Sequence, residues 1–132
     1  MVVNAWIPLS AICHGRSGDK GDHVNVGLAA HREQWYELLV ELITPARLEN
    51  WFSGMMRGGS EVFEVPGVFA VNCLLYNILQ GGGTVSLRMD AQGKSIGPML
   101  LQARVPISLA RAKVLEVPLE HATKDEAGQH PL

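Results

Sequence analysis

The densest chemistry in this sequence sits in one short run, Gly15-Arg16-Ser17-Gly18-Asp19-Lys20-Gly21-Asp22. Arg16 and Lys20 bring two fixed positive charges, and Asp19 and Asp22 bring two carboxylates. Gly15, Gly18 and Gly21 recur at every third residue. Glycine lets backbone N–H groups approach an anion closely, and arginine grips a carboxylate or phosphate through two parallel hydrogen bonds, where lysine acts as a mobile point charge. One reading is therefore an anion or acyl-phosphate cradle. The other is a tight connection in which Arg16 and Asp19 pair with each other and with the backbone. Composition does not choose between them.

Several sharper chemistries fail on spacing. The run lacks Gly-x4-Gly-Lys-Ser/Thr, and Gln92-Gly93-Lys94-Ser95 has Arg88 where that motif needs its first glycine. Ser17 is not in a Gly-x-Ser-x-Gly elbow, and its only neighbouring bases are His14 and His23. Asp19, Asp22 and His23 match no recognised metal-ligand spacing, so no metal is expected there, and no cofactor. Cys13 and Cys73 form no CxxC pair and lie in apolar stretches. They read as reduced, buried thiols, with a disulfide or a catalytic Cys13 beside His14 as the rival readings. A second glycine run, Gly81-Gly82-Gly83-Thr84, exceeds what a helix C-cap needs and suggests a close approach of ligand or partner to the backbone.

These residues need elements to position them. Ala5 to Ile12 reads as a first strand with Pro8 near an edge, followed by a polar loop from Cys13 to His23 and a second strand over Val24 to Leu28. Trp35, Leu38, Leu39, Leu42 and Ile43 fall at helical spacing. Thr44-Pro45 looks like an N-cap followed by proline at the first helical position, opening a helix that runs to about Met55 and ends at Gly58-Gly59. Trp35, Trp51 and Phe52 lie on those helical stripes and read as core. Val62, Phe63 and Val65 suggest a short strand closed by Pro66-Gly67, and residues 68–79 suit a third helix. Thr84 to Met89 reads as a strand, and Ser95 to Val105 is ambiguous between helix and strand. The interleaving favours an α+β fold, a small and mainly antiparallel sheet covered on one face by helices.

The bulk properties bound the function. At 132 residues the chain suffices for one domain with a real core, taken as residues 1–112, with a loose tail over 113–132. With 47% hydrophobic and 18% charged residues it is globular, and a net charge of −2 gives no electrostatic reason for nucleic acid or an anionic membrane as partner. No apolar run is long enough to span a membrane and the N-terminus has no secretion-signal pattern, so the cytoplasm is the expected location.

Arg16-Ser17-Gly18-Asp19-Lys20-Gly21, then Asn25-Val26-Gly27, then Gly81-Gly82-Gly83-Thr84 with Ser86-Leu87-Arg88-Met89-Asp90 and Gln92-Gly93-Lys94, resemble in order the small C-terminal domain of the acyclic terpene utilisation (AtuA-like) family. The resemblance runs over about residues 10–106. It implies a ferredoxin-like sandwich, a name for topology; two cysteines do not supply a four-thiolate cluster. It also implies a place in terpenoid or branched acyl-CoA catabolism beside a large AtuA-like chain. The resulting expectations are an accessory subunit with an acyl-CoA-like anionic ligand at Arg16, Ser17, Gly18, Asp19, Lys20, Asn25, Gly82, Gly83 and Thr84. The alternatives are a stand-alone enzyme with Asp19, Lys20 or Asp22 as catalytic groups, and a homo-oligomeric, non-catalytic binding module. The two glycine runs are expected to meet in space, and the chain to self-associate.

Overall fold

A computed structural model describes residues 3–20, 23–78 and 96–126, at Asp19 and Lys20 by backbone alone. Strand β1, Asn4–Pro8, pairs antiparallel with β6, Arg104–Ser108, with Trp6 opposite Pro106. A four-stranded antiparallel sheet takes the order β2-β3-β5-β4, from β2 (Cys13–Lys20), β3 (His23–Ala30), β5 (Ala70–Leu75) and β4 (Ser60–Val65). Four short α-helices complete the described elements: α1 (Tyr36–Leu42), α2 (Pro45–Trp51), α3 (Ile96–Leu101) and α4 (Leu109–Leu115). The fold class is α+β, as the sequence indicated. Among the described residues no helix is long and apolar enough to cross a membrane.

The helices follow from local rules. Trp35, Leu38, Leu39 and Leu42 are all buried, the i, i+3, i+4, i+7 stripe of one helical face. Thr44 caps α2, its Oγ1 accepting from the Arg47 N–H at 3.2 Å, and Pro45 takes the first position, where its missing N–H costs nothing. This helix ends at Trp51, earlier than expected, and Gly54 follows at φ 84°, a left-handed turn well before Gly58-Gly59. At the far end of the chain, Ser108 caps α4 by accepting from the Arg111 N–H at 3.1 Å.

Three expectations about elements are corrected. The first strand stops at Pro8, and a 3-10 turn over Leu9–Ala11 leads into β2. The polar segment from Cys13 is not a loop as far as Lys20; it is β2, paired residue for residue with β3. Its glycines and charges have poor strand propensity, but that propensity is weak beside a complete ladder with a partner strand. Residues 68–79 do not form a helix. Val71, Cys73 and Leu75 are buried at strict alternation in β5, a central strand bonded on both sides, and Phe69 just before it takes a left-handed φ of 55° that no helix would continue through.

The sheet has two distinct faces. Val24, Val26 and Leu28 of β3 and Val71, Cys73 and Leu75 of β5 point to one of them, all fully buried. On it α1 packs against β3 and β5, α2 against β4, and α3 against β2 and β3. The opposite face carries His14, Arg16, Asn25, Glu61, Phe63 and Val65, every one exposed. Beyond Leu115, where a loose tail was expected, Thr123 exchanges two backbone bonds with Trp6 at 2.9 and 2.8 Å, and the His121 carbonyl accepts from Arg104 Nη1 at 2.7 Å.

Candidate functional site

Strand geometry splits the sequence-predicted site in two. Side chains alternate across a sheet, so neighbours in sequence face opposite ways. Arg16 and Gly18 lie on the exposed face, paired across to Gly27 and Asn25 respectively. The four make a small checkerboard: a guanidinium and an amide on one diagonal, two glycines on the other. A Cβ added at Gly18 or Gly27 would meet nothing within 4 Å, and neither has a left-handed φ. Neither packing nor backbone conformation therefore requires glycine at these two positions, and their bareness keeps the backbone beside Arg16 open to close approach. No carboxylate among the described side chains lies within 4 Å of the Arg16 guanidinium.

Ser17 faces the other way. Its Oγ accepts a hydrogen bond from the Gly97 N–H at 3.1 Å, so it fastens the start of α3 onto β2. A Cβ on Gly97 would lie 3.0 Å from that oxygen and 3.2 Å from the Ser17 backbone nitrogen, which is why the helix begins with glycine in its second position. His14, by contrast, lies on the exposed face and meets His31, and His23 Nδ1 accepts from the Asn77 N–H at 3.3 Å. Asp19 pairs in register with Val24 and Lys20 with His23. Asp22, Gly82, Gly83 and Thr84 lie outside the described residues, as does the expected meeting of the two glycine runs.

Around the checkerboard the exposed face continues across the sheet. Asn72 of β5 stands between Gly27 and Phe63, and Leu74 between Asn25 and Glu61. Tyr76 donates its hydroxyl to Glu61, and that hydrogen bond, with some desolvation, raises the phenol's pKa. The His23 ring sits edge-on to Tyr76 at 5.0 Å. Phe63 and Val65, on this face of the edge strand β4, are 46% and 40% exposed, and Val68 in the 3-10 turn that follows is 62% exposed.

Catalysis by Cys13 is excluded by burial. Its thiol donates to the Leu9 carbonyl at 3.3 Å, and desolvation, then the proximity of Cys73, push its pKa up to about 12. Cys73 is likewise a free, buried thiol pushed up to about 12 by desolvation. Thiolate is the nucleophile, so neither thiol is armed near neutral pH. Among the described residues, cavities lie away from the checkerboard. One of about 480 Å³ is lined by Glu33, Gln34, Tyr36, Glu37 and Phe69, and one of about 220 Å³ by Trp51, Phe52, Met99, Leu100, Gln102 and Ala103.

The feature that sequence reading missed is the pairing of His14 with His31 on the exposed face. Its signal was present: once β2 and β3 are seen as a hairpin, these histidines are diagonal neighbours on one face. No curated protein and no solved structure matches the chain. A family model described as the AtuA ferredoxin-like domain matches residues 7–106, from within β1 to within β6 and including the whole checkerboard. The chain belongs to the AtuA ferredoxin-like domain family.

Proposed function

We propose that this domain is an accessory module that docks through the exposed face of its four-stranded sheet onto a large AtuA-like chain, and there lends Arg16 to an anionic, acyl-CoA-like ligand. Terpenoid or branched acyl-CoA catabolism is the setting that the family suggests, and the cytoplasm is the location expected from the sequence. The observation that carries the reading is the exposed Arg16 guanidinium, without a carboxylate partner among the described side chains and flanked by the bare Gly18 and Gly27. An arginine left open beside accessible backbone suits an anion brought to it from outside.

The test mixes the chain with a large AtuA-like chain and titrates the complex with coenzyme A. A complex that binds it, with Arg16→Ala weakening binding by about 1.5–3 kcal/mol, is the expected result. Arg16→Lys recovers only part, because lysine lacks the two-pronged geometry. Absence of any complex, or affinity unchanged in Arg16→Ala, would overturn the reading. The exposed apolar side chains of Phe63 and Val65 on this face favour a second reading, a homo-oligomer closed over it. Sedimentation of the chain alone separates the two, since only the second gives a dimer without a partner.

A further inference from the structure

On the exposed face, one strand position beyond the checkerboard, two imidazoles meet. His14 stands in β2 opposite Ala29 of β3, and His31 follows directly after β3. The His31 N–H donates to the Ile12 carbonyl at 2.9 Å, which extends the ladder and fixes the backbone under both rings. Their Nδ1 atoms lie 3.4 Å apart, and the rings are 24° from parallel, with centroids 5.3 Å apart.

The tautomer of His31 is set by its other contact. Nε2 lies 3.2 Å from the Ser10 carbonyl, and a carbonyl only accepts, so Nε2 carries the proton and Nδ1 presents a lone pair toward His14. A ring N–H held by a backbone carbonyl is the usual outer support of a metal-binding imidazole. At 3.4 Å the two rings share an N–H···N hydrogen bond in the metal-free chain, His14 Nδ1–H donating to His31 Nδ1, and the same separation matches the chord of about 3.3–3.4 Å between two nitrogens at about 2.0–2.1 Å from one tetrahedral ion, which would replace that proton. Both side chains are exposed, and with the His31 ring held by the Ser10 carbonyl it is the His14 ring that turns its lone pair to share an ion.

We infer that His14 and His31 form a two-histidine site for a divalent transition ion of the zinc class. Imidazole pairs select zinc, copper and nickel over magnesium and calcium, which prefer oxygen ligands. No group of three or more His, Cys, Asp or Glu among the described residues forms a fuller metal site. Two of the four tetrahedral positions are thus left to water or to donor atoms of a bound molecule. His14 is two residues from Arg16 on the same strand face, so an ion here adds positive charge where Arg16 already supplies it. The site stands on its own geometry and does not depend on docking to a larger chain.

Isothermal titration of the metal-free full chain with zinc chloride tests it. The expected result is one zinc per chain, with His14→Ala and His31→Ala each weakening it about tenfold or more, the range lost even when an outer support is removed. His121→Ala, at an exposed histidine elsewhere, leaves binding unchanged. Thermal melts without zinc should coincide for all variants, and added zinc should raise the melting temperature of the wild type but not of His14→Ala. No saturable binding up to about 1 mM zinc, or binding that survives in the His14→Ala/His31→Ala double variant, would overturn the inference.

Discussion

The two faces of the β2-β3-β5-β4 sheet are built from the same hairpin and obey opposite rules. On the helix-covered face, positions in β3 and β5 are apolar and fully buried, and glycine in β2 is a steric necessity. A Cβ on Gly15 would lie 2.7 Å from the Gly27 carbonyl oxygen and 2.7 Å from Leu28 Cδ2. On the exposed face, Gly18 and Gly27 have open space around them, and the polar groups beside them have few partners. The same residue type therefore reports packing on one side and vacancy on the other. Smallness that the fold does not require is the better pointer to an approach from outside.

Three measurements sharpen or break that contrast. The largest effect is expected from Leu28→Ala. Leu28 is fully buried, so about 2–5 kcal/mol of unfolding free energy should be lost, whereas Arg16→Ala on the open face should stay within about 0.5 kcal/mol in the absence of any partner. Equal losses in urea melts would mean that the open face is a packed one. Next, Gly15→Ala should cost about 1–3 kcal/mol because backbone must move to admit the methyl. Gly27→Ala should be neutral or stabilising by about 0.4–1 kcal/mol, since an extended residue in open space loses only unfolded-state freedom. A destabilising Gly27→Ala would show that its bareness serves the fold after all.

The third measurement concerns the thiols beneath the sheet. Their folded pKa values are raised to about 12 from the ordinary 9.0, so burial stabilises the protonated form. Their contribution to stability is complete below pH 9.0 and is lost as pH climbs from there toward about 12, because the unfolded chain releases these protons first. The slope is at most about 1.4 kcal/mol per pH unit for each thiol. The alkaline fall in the urea midpoint should flatten in Cys73→Ala, and an unchanged slope would contradict its burial as a protonated thiol.

How much of this was legible in the sequence depends on how local each signal is. The Thr44-Pro45 cap and the Trp35-to-Leu42 stripe are decided within a few residues, and both were readable. Strand β2 was not, because its glycines and charges look like a loop until β3 supplies the ladder. Read as a loop, β2 shows no alternation, and Ser17 falls in with Arg16 although the two face opposite ways. Strand β5 was misread for the complementary reason: a short apolar run suits either a helix or a central strand, and only its neighbours β3 and β4 decide. Three of the nine expected ligand residues, Arg16, Gly18 and Asn25, share one face. The family resemblance was readable because it rests on residue identities in order and needs no correct secondary structure.

The pairing of Trp6 with both Pro106 and Thr123 sets an order of assembly. Strand β3 follows β2 directly, so that hairpin closes a short loop and can zip as soon as both strands exist. Strand β1 leaves the ribosome before either, yet its partners lie about a hundred residues downstream, beyond α3. Until they arrive, Ala5 and Ile7 have no strand to pair with. The first part of the domain to be synthesised is thus among the last to be secured, and β1 is the segment whose safekeeping during synthesis matters most.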